Sequence, residues 1–136
     1  MANSLTNDGE EFALFGDGVG DGSIARLATA VRLFDSTSTP AKDGTGFVEV
    51  ANGNGYTTGG QAITVADWTF SVVSMNGQIV LDDFVWTAVG GNISNIKGAY
   101  ITDGSGNELA WWERTTAVTL TPGDSLTVDD LTVRLT

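Results

Sequence analysis

Cysteine and histidine are both missing from this chain of 136 residues. Without cysteine there is no disulfide frame and no thiolate chemistry. Without histidine the commonest general base near neutral pH and the commonest zinc ligand are gone. Proline occurs only twice, and basic residues number 6 against 17 acidic ones, a net charge of −11. Nucleic-acid binding depends on Lys and Arg neutralising phosphates, so such a surface repels it; solubility is the plainer consequence of the charge. No run of the sequence approaches the roughly 20 apolar residues of a membrane-spanning helix. Residues 1–8, MANSLTND, have neither a basic start nor an apolar centre, so no signal peptide is legible. The expectation is a protein made in a cytoplasm and used there or assembled there into something larger, with no nucleic-acid and no membrane partner.

Turn chemistry and short strands fill the space these absences leave. Eighteen glycines and 41% apolar residues indicate a folded chain with many turns and few helices. The length predicts a single domain over 1–136 with one core. The last third is the clearest part. A strand over 96–102 meets Asp103-Gly104-Ser105-Gly106-Asn107, residues that tolerate positive φ and bond their own backbone, and returns over 108–112. A β-branched run follows over 115–120. Thr121-Pro122-Gly123-Asp124 has the type II preference, with Pro fixing φ and Gly after it. Ser125 leads on to Leu131, Val133 and Leu135, which alternate with polar neighbours as a half-buried strand does.

Upstream, Asn7-Asp8-Gly9-Glu10 resembles a capping box, and Phe12, Ala13, Leu14 and Phe15 run up to Gly16; this predicts a helix of about two turns over 8–15. A strand is expected over 28–34, with Thr29, Val31 and Leu33 on one face and Arg32 on the other. A short strand follows over 47–50, and Tyr56 is the anchor of a glycine-rich stretch. Asn76-Gly77 between two apolar runs is the strongest local hairpin signal; read as a two-residue type I′ turn, it sets Val73 opposite Val80 and Val72 opposite Leu81. Short strands at turn spacings of roughly 8 to 12 residues, with one helix in front, predict an antiparallel β-sandwich of barrel-like form and at least seven strands.

Catalytic signals are weak. Glu10-Glu11, Asp82-Asp83 and Asp129-Asp130 are adjacent pairs, and neighbours on a strand point to opposite faces. Asp17 and Asp21 lie in a glycine-rich loop, but a calcium loop begun at Asp17 needs a carboxylate where Ala28 stands. Asn92-Ile93-Ser94 fits a glycosylation sequon by chance. No catalytic centre, cofactor or metal is expected. Trp68 and Trp86 read as core. If Leu109 points inward, Trp111 does too and Trp112 points out. Large side chains occupy both faces at Trp111-Trp112 and at Phe84-Val85-Trp86, so the interface candidates are Trp112 first, then Trp86, Phe84 and Tyr56.

The order of these pieces resembles a group of small virion proteins of tailed bacteriophages, the capsid decoration (cement) and tail-fibre-like β-sandwich proteins. The resemblance runs through Met1-Ala2-Asn3, the expected helix ending near Phe15, Val31-Arg32-Leu33-Phe34, the stretch from Gly44-Thr45 to Glu49-Val50, and Gly53 to Tyr56. It continues in Ile101-Thr102-Asp103, Leu109-Ala110-Trp111 and Pro122-Gly123-Asp124-Ser125-Leu126. It implies a structural, non-enzymatic virion protein, a homotrimer or other homo-oligomer, bound to the major capsid protein. Two alternatives stand beside it: a tail or tail-fibre component, and a carbohydrate-binding module using Trp112, Tyr56 and loop carboxylates. A β-sandwich hydrolase is the least favoured reading, because His and Cys are missing.

Overall fold

The computed structural model describes residues 23–74 and 76–134. The helix expected over 8–15, the Asp17 and Asp21 loop and the Glu10-Glu11 pair lie outside them. Within the described residues the fold is mainly β and antiparallel, with a one-turn helix α1 (Ile24–Leu27) at the front, and its sheets do not close into a barrel. Nine strands follow α1: β1 (Ala28–Asp35), β2 (Gln61–Ala62), β3 (Trp68–Val73), β4 (Asn76–Leu81), β5 (Phe84–Thr87), β6 (Ile93–Asp103), β7 (Glu108–Leu120), β8 (Ser125–Val128) and β9 (Thr132–Arg134). They form a four-stranded sheet ordered β2-β1-β6-β7, a three-stranded sheet β3-β4-β9 and a pair β5-β8.

One apolar cluster joins all three sheets. Val31, Leu33, Ile96, Ala99 and Ile101 come from the four-stranded sheet, Trp68, Ile79 and Leu81 from the three-stranded one, and Trp86 from β5. Two polar bonds tie the layers: Gln61 Nε2 donates to Val85 O at 2.9 Å, and Trp112 Nε1 donates to Thr132 O at 3.0 Å. Trp68 and Trp86 are buried, as their apolar flanks suggested. Thr29 is exposed instead of sharing the face of Val31 and Leu33, because a register shift between Ala28 and Ala30 breaks the alternation there.

The β3–β4 hairpin exists, but its turn is not at Asn76-Gly77. Both residues belong to β4, Val73 faces Asn76 and Val72 faces Gly77, and Ser74 takes positive φ (51°) just beyond the β3 strand. This register sets Trp68 opposite Leu81 and Phe70 opposite Ile79. The turn-based register would have put Val72 and Ser74 there. Moving the turn by two residues keeps every side chain on its own face and exchanges a valine and a serine for two aromatics against the inward Leu81 and Ile79, so core packing overrides the local turn preference.

Aspartates staple the turns. Asp103 Oδ1 accepts the N–H groups of Ser105 and Asn107, both at 2.9 Å, closing the β6–β7 hairpin. Thr121 N–H donates to Asp124 Oδ2 at 3.0 Å while Asp124 N–H returns to Thr121 O at 2.8 Å, and Gly123 takes φ 95°, the type II geometry that its sequence favoured. Asp35 with Thr37 and Asp43 with Thr45 repeat the pattern. Part of the acidic excess therefore serves local backbone order. The strand expected over 47–50 is reduced to a single bridge between Phe34 and Glu49, and the run expected over 115–120 is the far end of a continuous β7.

Candidate interaction surface

The outer edge of β1 is sealed by a loop that folds back on it. β2 covers only Ala30 and Val31. Farther along, Val50 N–H donates to Leu33 O (3.0 Å) and Asp35 N–H donates to Val48 O (2.9 Å). Between these, the Leu33 N–H finds the hydroxyl of Tyr56 at 3.1 Å. That hydroxyl donates to Glu49 Oε1 at 2.8 Å, which also takes the Gly59 N–H at 2.7 Å, while Glu49 Oε2 meets Arg32 at 3.3 Å. Burial pushes the Tyr56 phenol well above its ordinary value, with the Leu33 N–H opposing and Glu49 reinforcing, so it stays a donor. Gly60 closes the seal: at φ +70° a Cβ there would sit 2.0 Å from Val31 O.

Tyr56 is thus an anchor, as the sequence suggested, but an internal one. At 1% exposure it presents no ring to a sugar or a partner. Trp86 is buried beside it, with ring centroids 6.3 Å apart, and Phe84 is half-buried 6.5 Å from Trp86. Only Val85 of that segment faces out, at 50% exposure. The orientation expected at Trp111-Trp112 is reversed. A register shift between Ile101 and Thr102, where the partners step from Ala110 to Glu108, inserts Leu109 as an extra residue. Leu109, Ala110 and Trp112 all pack against the core, so the side of Leu109 does not carry through to Trp111.

Trp111 lies on the opposite face, at the margin of a second aromatic group. Phe34 and Tyr100 are buried, Phe47 stacks on Tyr100 (4.8 Å between centroids), and Trp111 meets Phe47 edge-on at 5.8 Å. Gly98 makes the room: a Cβ there would lie 2.4 Å from the Phe34 ring and 2.2 Å from Trp112 O. Burial raises the Tyr100 phenol to about 12, the Glu49 charge adding to it and Arg32 opposing. Neither phenol is poised for proton transfer near neutral pH.

Depressions among the described residues include a cleft and a bowl. A cleft of about 140 Å³ lies between Trp112, Glu113 and Arg114 of β7 and the stretch 126–131, with Leu33, Ile96 and Ala99 beneath. A wider polar bowl of about 380 Å³ gathers Asp35, Asn52, Asn54, Asn92 and Asn95 at the loop end. Among the described residues no group of three or more His, Cys, Asp or Glu comes together to hold a metal, and no helix is long and apolar enough to cross a membrane. The chain matches no protein-family model, no curated protein and no solved structure.

Proposed function

We propose that this chain is a structural virion protein of a tailed bacteriophage, acting without catalysis by covering an assembled surface, with the capsid lattice as the first assignment. The observation that supports this most is β7. It is an edge strand of the four-stranded sheet, and it sets Trp111 and Trp112 on opposite faces, each covered for the most part but with some of its surface left open. Tryptophan is enriched where interfaces carry their binding energy, because the indole contributes much area at little entropic cost. Trp112 is already committed to Thr132 and the core, so Trp111 with Phe47 replaces it as the contact residue of choice.

Co-sedimentation of the chain with undecorated capsids, together with light scattering, tests the assignment. Saturable binding that Trp111→Ala weakens, with the melting temperature kept, supports it. A wild-type chain that stays monomeric and ignores capsids overturns it and moves the assignment to the tail. The carbohydrate-binding alternative loses Tyr56 to burial, so it would have to rest on the polar bowl at Asn52, Asn54, Asn92 and Asn95.

A further inference from the structure

β7 ends its sheet, and among the described residues no backbone hydrogen bond is made on its outer side. Its pairing with β6 is continuous from Ala110 to Glu113, and it breaks where Gly98 faces Glu113 but Ile96 faces Val118. The extra residues there and the inserted Leu109 at the other end bend the strand and limit any added strand to about residues 110–113. The apolar cleft opens beside this stretch, between Trp112 and the β8 side chains Leu126 and Val128, with Leu131 behind. Its volume, about 140 Å³, is close to that of a cavity that holds one benzene ring. It suits a single ring or branched side chain.

Charge indicates the chemistry of the partner. Glu113 ends the stretch, Glu108 lies just before it and Asp129 lines the mouth. Among the described residues two cations stand near these carboxylates: Arg114, whose Nε is turned to Thr116 O at 3.3 Å, and Lys97, whose Nζ donates to Thr115 O at 2.9 Å and lies 3.9 Å from Glu113 Oε1, which leaves Asp129 as the carboxylate at the mouth without an ion pair. The whole chain carries −11, so a second copy of it would meet this edge with like charge.

We infer that the mouth between β7 and β8 receives an extended segment of a different protein, which pairs with residues 110–113 as an added strand, places one apolar side chain in the cleft beside Trp112 and carries basic residues around it. This deepens the reading of β7 as the contact edge and rests on it. The division of labour is that of strand addition, with main-chain bonds giving affinity and the side-chain pocket giving selectivity.

The probe is the peptide acetyl-KVKFKVK-amide, titrated into the full chain labelled for amide NMR. The expected result is saturable shifts confined to 108–114 and 126–131. Replacing the peptide's phenylalanine with serine should weaken binding about tenfold or more, and replacing its lysines with glutamates should abolish it. On the protein side, Asp129→Lys alters an exposed rim residue and should weaken binding several-fold, more so at low salt, with an unchanged melting temperature. Shifts elsewhere, equal binding of the serine peptide, or β7 resonances that move with protein concentration alone, the mark of self-pairing, would overturn the inference. Capsid co-sedimentation of the wild-type chain separates the two readings. Peptide binding without capsid binding leaves the groove and removes the virion assignment; capsid binding without peptide binding does the reverse.

Discussion

Removing one oxygen at position 56 probes how the edge of β1 is sealed. Tyr56→Phe keeps the ring beside Trp86 but strips the Leu33 N–H of its partner and Glu49 of a donor. A buried donor left unsatisfied costs about 1–3 kcal/mol, and urea unfolding of the variant should show a loss of that size. Trp112→Ala should unfold the chain more readily by roughly 2–4 kcal/mol, since it empties a core-facing site and frees the Thr132 carbonyl; Trp111→Ala should cost far less. The turn aspartates add a pH signature. Asp103 and Asp124 are held below the usual carboxylate range, chiefly by the side chains of Asn107 and Thr121 respectively. Their folded values lie below their unfolded ones, so their contribution is complete above about pH 4 and is lost as pH falls through the depressed values. The stability difference between wild type and Asp103→Ala should therefore be largest near neutrality and shrink on acidification. A difference independent of pH would mean that the charged form is not what closes the turn.

At the level of elements, the β3–β4 register can be decided by covalent capture, which a chain free of cysteine allows without background. Directly opposed residues on antiparallel strands lie about 4.5–5.5 Å apart at Cα, within disulfide range. Thr69→Cys with Val80→Cys should cross-link in air, because these positions face each other. Val73→Cys with Val80→Cys should not; efficient closure of that pair would restore the Asn76-Gly77 turn. The contrast shows why some elements were legible in the sequence and others were not. The Thr121–Asp124 turn and the Asp103 turn are settled by bonds among neighbouring residues, so local chemistry predicts them. The β3–β4 turn is settled by Trp68 and Phe70 meeting Leu81 and Ile79 across the hairpin. The inserted Leu109 depends on what β6 presents to β7, which no window of β7 alone contains. That one residue is why the inward tryptophan is Trp112. Tyr56 was recognisable as an anchor from its glycine-rich flanks, whereas its burial follows from Glu49 and Leu33, neither of which stands out in the sequence.

For the whole molecule, the expected assembly behaviour follows from the edge at β7 and the acidic surface. Under the proposed capsid assignment, and with a basic docking site as inferred for β7, association should be fast at low ionic strength and slow as salt screens the charge, with dissociation changed much less; surface plasmon resonance on immobilised capsids across a salt series reads both rates. The sheet order also has a consequence for how the chain reaches its fold. Of the described strands β1 is made first, yet its long partner is β6, with Arg32 facing Tyr100 across half of the sequence. Loop-closure entropy therefore weighs against the central pairing of the large sheet, whereas the β3–β4 and β6–β7 hairpins close locally. Folding should be slow for this length, on the millisecond-to-second scale of non-local β topologies. During synthesis the loop 48–62 can seal the outer edge of β1, but its inner edge waits unpaired until β6 has left the ribosome. That interval, more than any weakness of the finished sandwich, is where this chain is most open to aggregation.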